Sequence, residues 1–232
     1  MSLLKDIPIR NKDILDILNQ IVEIKDMEGF EDVSYLMGRD ISDQGDEWTG
    51  ENYMNHVINV QGDQHEGFPD YMHGRNFKPS GSPEETDMGF RGDANWEHKD
   101  AIRKKIHELN NELLTFLGCR NNALFCFYPE NGFISWHNNW NAPGYNLIFT
   151  WSENGNGWFK HVDPHTKRVI THDDVPGWQL KAGYFGHHEE KDKICYHAAK
   201  TECKRITVSF IFSHADMAMN LQDDVIAEIT EE

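Results

Sequence analysis

The sequence predicts a mostly β domain, a sandwich or jelly roll, with flanking N-terminal helices packed on one face. Two features predict it. Beyond Cys119 the helical period disappears and short β-rich segments follow one another, separated by Pro-Glu-Asn-Gly, Asn-Ala-Pro-Gly and Asn-Gly-Asn-Gly turns. Short strands at such spacing build antiparallel sandwiches and jelly rolls rather than parallel sheets. Ahead of them stand segments of helical periodicity, placed to cover the outer face of a barrel.

In chain order, Ile14, Leu18, Ile21 and Ile24, joined by Ile17 and Val22, repeat at helical spacing between Asn11, a capping residue type, and Gly29, a helix stop. The spacing predicts an amphipathic helix packed on a sheet. Residues 38–95 are rich in Gly, Asp, Asn, Ser and Pro, with aromatic islands such as Phe68-Pro-Asp-Tyr71. A loop of that length in a compact domain is functional or disordered, and we read it as a candidate lid with a strand around Asn55–Val60. From Trp96 to Leu117, Ile102, Ile106, Leu109, Leu113 and Leu117 mark one face of a second helix, Arg103, Lys104 and Glu108 lie on its charged face, and Gly118 supplies the stop.

Strands are then read at Ala123–Tyr128, Phe133–His137, Tyr145–Trp151, Gly157–Val162, Arg168–Thr171, Trp178–Leu180, Gly183–Phe185, Ile194–His197 and Lys204–Phe212. The acidic segment from Asp223 reads as a short helix or a frayed end. At 232 residues and 27.0 kDa the chain fits one domain. Within it, 1–119 is helical and loop-rich support, 120–213 a jelly-roll core and 214–232 an acidic tail.

With 22 Lys and Arg against 39 Asp and Glu, the formal net charge is −17. Such a surface repels phosphate backbones and anionic membranes, so neither nucleic acid nor membrane is expected as a partner. The N-terminus, Met1-Ser-Leu-Leu-Lys-Asp-Ile-Pro8, lacks the apolar stretch of a secretory signal. The expectation is a soluble cytoplasmic protein. Cys119, Cys126, Cys195 and Cys203 form no Cys-x-x-Cys pair and read as buried free thiols.

Chemistry enters with three segments: Ser135-Trp-His-Asn-Asn139, Cys195-Tyr-His197 and Lys204-Arg-Ile-Thr-Val-Ser-Phe210. Residues i and i+2 of a strand share a face, which puts Ser135, His137 and Asn139 together and turns Trp136 and Asn138 away. The same rule groups Arg205, Thr207 and Ser209 on a barrel interior, with Ile206, Val208, Phe210 and Phe212 packed outward against helices. An arginine between hydroxyls in a semi-closed cavity is a carboxylate receptor, because its fork binds both oxygens. Two distant imidazoles beside it point to a metal site with an anion clamp. The competing reading is a pair of hydrogen-bonded barrel histidines with Arg205 paired to a structural acid. Most other histidines, His73, His161 and His172 among them, stand in polar company and are expected at the surface.

This pattern resembles the iron(II) and 2-oxoglutarate-dependent dioxygenases, whose double-stranded β-helix, a cupin-like jelly roll, carries His-x-Asp/Glu on an early strand, a second His on a late strand and Arg-x-Ser/Thr after it. The resemblance covers roughly residues 120–213. It implies Fe(II) held by His137, Asn139 and His197, with no catalytic residue beyond the metal ligands. Arg205 and Thr207 would hold the distal carboxylate of 2-oxoglutarate. Tyr128, followed by Gly132, is similar to the prolyl-hydroxylase-like branch and could donate to the same carboxylate. The implied activity is hydroxylation of a small molecule or peptide side chain with dioxygen; Trp136, Trp140, Tyr145 and Phe185 could line the site.

Asn139 stands where the family has a carboxylate, and a neutral amide removes one negative charge from the ligand set. Weak ligation through the amide oxygen is one reading; a carboxylate elsewhere, such as Glu153 or Asp163, is another. A third is an open position filled by halide, as in related halogenases. An inactive jelly-roll module, or a cupin-type metalloenzyme without 2-oxoglutarate, completes the alternatives.

Overall fold

The computed structural model describes residues 3–33, 41–60, 69–77, 79, 96–140 and 142–231. Among these, the strands form two antiparallel sheets. The major sheet runs β1 (Leu4–Ile7), β9 (Gly177–Phe185), β6 (Gly144–Ser152), β11 (Arg205–Phe212), β4 (Asn121–Tyr128), β3 (Arg75–Phe77). The minor sheet runs β2 (Met72–His73), β5 (Phe133–His137), β10 (His197–Thr201), β7 (Gly157–Val162), β8 (Val169–Asp173). From β4 to β7 the chain switches sheet at every turn, β7 and β8 pair as a hairpin, and β8 to β11 switch back. The returning strands therefore slot between the outgoing ones, β10 between β5 and β7 and β11 between β4 and β6. That winding is a double-stranded β-helix.

Alternation along the strands sorts the side chains. On β11, Ile206, Val208, Phe210 and Phe212 join Phe125, Phe127, Leu147, Phe149, Leu180 and Ala182 in an apolar layer outside the major sheet. Two helices cover that layer, α1 (Lys12–Glu23) through Ile14, Leu18 and Ile21, and α4 (Trp96–Leu117) through Ile102, Ile106, Leu109, Leu113 and Leu117. The Asn11 side chain caps α1 by accepting from the Asp13 and Ile14 amides, and Gly118 ends α4 with φ 62°.

Four sequence expectations change. The strand around Asn55–Val60 is instead helix α3 (Glu51–Val60), following a single turn α2 (Gly45–Trp48); Tyr53, Met54 and Val57 bury one helical face against Trp136, Tyr196 and Ala198 on the outside of the minor sheet. Burial overrode the β preference of Val57, Ile58 and Val60, and helices accordingly cover both sheets rather than one face. The stretches Trp178–Leu180 and Gly183–Phe185 are a single strand, β9. Ile194–Tyr196 lies in a turned loop, held by the Lys193 and Ile194 amides donating to the Glu190 carbonyl, so β10 starts only at His197. The acidic tail is helical, α6 (Leu221–Thr230) being the short helix expected there, preceded by α5 (His214–Ala218), and Val225 and Ile229 join the same core as α1 and α4. The N-terminal region is also more than support, since it supplies β1, β2 and β3. Of the candidate lid, residues 38–40, 61–68, 78 and 80–95 lie outside the described residues. No helix among the described residues is long and apolar enough to cross a membrane.

Candidate metal centre and anion clamp

Between the sheets lies a cavity of about 100 Å³. Ile134, His137 and Asn139 reach it from β5 and its continuation, His197 and Ala199 from β10, and Arg205, Thr207 and Ser209 from β11. The inward set on β11 is the one alternation predicts. On β5 strict alternation fails, because His137 pairs with His197 while Ile134, three residues away, pairs with Ala199. An extra residue in β5 makes a β-bulge, which re-aims the side chains that follow it. Ser135 consequently does not line the cavity; it is fully buried, and its Oγ accepts from the Tyr71 amide. Trp136 turns outward as predicted and donates its indole N–H to the Thr49 carbonyl at 2.8 Å.

The two imidazoles lie side by side across the strand pair, ring centroids 4.1 Å apart and planes tilted by 50°. Nδ1 of His137 lies 2.8 Å from the Ser135 carbonyl and Nδ1 of His197 3.0 Å from the Cys195 carbonyl. A carbonyl only accepts, so both rings carry a proton on Nδ1, which leaves Nε2 of each as the nitrogen available to a metal. Metal-ligating histidines are oriented by this kind of backbone contact. Burial, reinforced by His137, holds His197 well below its ordinary value and keeps it neutral. Asn139 lines the same cavity, half-buried. No carboxylate does so among the described residues: Glu153 is exposed, and Asp163 Oδ1 accepts from the His165 and Thr166 amides and the Thr166 hydroxyl. Nor do three His, Cys, Asp or Glu side chains among the described residues cluster tightly enough to hold a metal.

Arg205 lines the cavity and is also paired with an acid. Its Nε donates to Asp174 Oδ2 at 2.9 Å and its Nη1 to Thr207 Oγ1 at 2.7 Å, with the two charged side chains 2% and 1% exposed. Asp174 Oδ1 accepts from Gln179, Gln179 Oε1 accepts from Lys181, and Lys181 forms an ion pair with Asp6 of β1. The Tyr128 ring packs 5.5 Å from the guanidinium carbon. Its buried hydroxyl has no hydrogen bond of proper geometry, and desolvation keeps it protonated as a donor.

Of the proposed lining aromatics, Phe185 is present and Phe159 joins it, 5.6 Å from the His197 ring. Trp136 and Tyr145 pack outside the sheets, and Trp140 stacks on His188 at 3.7 Å. Sequence reasoning missed Asp174, which sits in an Asp-Asp-Val-Pro-Gly turn with no mark of burial. It also placed His73 and His161 at the surface, whereas both are buried. His161 pairs in register with His197, and its Nδ1 lies 3.3 Å from His172 Nε2. The i, i+2 relation of Phe159 and His161 on a predicted strand was the signal that could have found it.

No protein-family model and no curated protein matches the chain. Among solved structures it is similar to a Pseudomonas putida prolyl-4-hydroxylase, at 13% identity over 85% of this chain and 99% of that one, with a TM-score of 0.31. It is also similar to OsALKBH1, at 11% identity over 92% and 98%, TM-score 0.37. The capsular polysaccharide assembling protein CapF of Staphylococcus aureus gives 9% identity over 51% of this chain and 35% of that one, TM-score 0.22. Likenesses at TM-scores below 0.5 do not bear on function.

Proposed function

We propose that the protein is a non-haem iron oxygenase that uses 2-oxoglutarate and dioxygen to hydroxylate a small molecule or peptide side chain. The cross-strand pair His137 and His197, sharing one cavity with a buried Arg205, carries this reading. The donor set fits a divalent metal: two imidazoles with Nδ1 tied to the backbone, and the Asn139 amide as third donor. Arg205, Thr207 and the unsatisfied Tyr128 hydroxyl fit an oxygen-rich co-substrate end. Bound iron would supply dioxygen activation. The chain's own residues orient the ligands, and Ile134, Ile148, Phe159 and Phe185 give the cavity an apolar wall that would help exclude water from the reaction.

Arg205 lining the cavity favours this reading over a cupin-type metalloenzyme without 2-oxoglutarate. The lack of a carboxylate in the lining among the described residues favours a second reading, a jelly-roll binding module without redox chemistry. Anaerobic titration with Fe(II) and then 2-oxoglutarate separates them. The oxygenase reading expects about one equivalent of bound iron and the charge-transfer absorption of a chelated 2-oxo acid. Absence of both means a binding module.

A further inference from the structure

Asn139 leaves the donor set one negative charge short, and Asp174, itself outside the cavity lining, places one against Arg205, which does line it. Both Asp174 oxygens accept hydrogen bonds, Oδ2 from the Arg205 guanidinium and Oδ1 from Gln179. Its socket is tight: a Cβ on Gly157 would lie 2.5 Å from Oδ2, and the Gly157 carbonyl accepts the Asp174 amide. Gln179 links this pair to Lys181 and Asp6, and the charges of Asp6, Lys181, Asp174 and Arg205 sum to zero. A guanidinium already neutralised at contact distance, both partners being buried, attracts a further carboxylate weakly, since that carboxylate also approaches Asp174.

We propose that Asp174 determines co-substrate specificity. It neutralises Arg205, so the pocket takes 2-oxo acids whose far end is an uncharged hydrogen-bond acceptor as readily as those ending in a carboxylate. The proposal rests on the reading of His137 and His197 as a metal pair that receives a 2-oxo acid. Relative to the family pattern, the negative charge has moved from the metal end of the cavity to the arginine end. A metal held by His137, Asn139 and His197 would keep its full charge for the oxo-acid head, while Arg205, Thr207 and Tyr128 would serve the far end as hydrogen-bond donors rather than as a net charge.

Calorimetry on the intact protein loaded with Mn(II) tests this, using 2-oxoglutarate and its 5-methyl ester, which differ chiefly in the charge of the far end. The wild type is expected to bind the two within about threefold, and Asp174→Asn to prefer 2-oxoglutarate by about tenfold or more, the scale of a buried carboxylate meeting an unneutralised guanidinium. A wild type that already prefers 2-oxoglutarate by more than about tenfold overturns the proposal and leaves the oxygenase reading standing. Binding of neither acid overturns the metal-pair reading, and the proposal with it. Should Asp174→Asn fail to fold, the wild-type ratio decides.

Discussion

Arg205→Met keeps the aliphatic stem and removes the charge, leaving Asp174 sealed at 1% exposure with Gln179 as its remaining side-chain donor. Removing one partner of a buried ion pair costs about 3–5 kcal/mol, because the other charge stays desolvated and unpaired. In a domain of this size each kcal/mol moves the unfolding midpoint by about 2–4 °C, so the variant should melt on the order of 10 °C below the wild type. Asp174→Leu alone should fall by a similar amount. The double variant Arg205→Met/Asp174→Leu removes both charges and should recover most of the loss, since apolar replacement of a buried pair is often neutral or better. Urea denaturation of the four proteins at pH 7 gives the cycle, with a coupling on the order of 3 kcal/mol. Single variants within about 0.5 kcal/mol of the wild type, or a double variant as unstable as the two losses added, would refute the idea that the pair shares one desolvated site.

Four further outcomes follow from the same structure. His137→Ala and His197→Ala should lose tight metal binding with an unchanged far-UV spectrum, and unaltered metal content in both would remove the metal assignment. Asn139→Asp should raise iron affinity by restoring the missing anion beside His137; weaker binding, read by anaerobic titration, would show that Asn139 does not occupy a ligand position. Burial holds His161 down to about 4 and also lowers His172. The unfolded chain therefore takes up protons first as the pH falls from about 6.5, and stability, complete above that value, declines toward pH 4. His161→Phe should flatten the decline by close to one proton, about 1.4 kcal/mol per pH unit, and an identical slope in both proteins would contradict the buried, neutral His161. Asn11→Ala removes the cap of α1 and should cost about 1 kcal/mol in chemical denaturation; no change would mean that the two amide contacts contribute nothing.

Residues whose role depends on local periodicity were legible in the sequence. The buried faces of α1 and α4 follow from a 3.6-residue repeat, and the division of β11 into Arg205, Thr207 and Ser209 inside and Ile206, Val208 and Phe210 outside follows from a 2-residue repeat. His137 and Asn139 were placed in the cavity, though by an alternation that the β-bulge breaks at Ser135. Only the tertiary structure decided what depends on chain segments meeting. Asn55–Val60 is helical because the outside of the minor sheet offers a surface for Tyr53, Met54 and Val57, and His161 is buried because β10 brings His197 alongside it. Asp174 looks like an exposed turn residue until the return of β11 sets Arg205 against it. On β11 the sequence alone determined which side chains face inward, because that is a property of one regular strand; which charge neutralises Arg205 is a property of two segments 31 residues apart, joined only when the barrel closes.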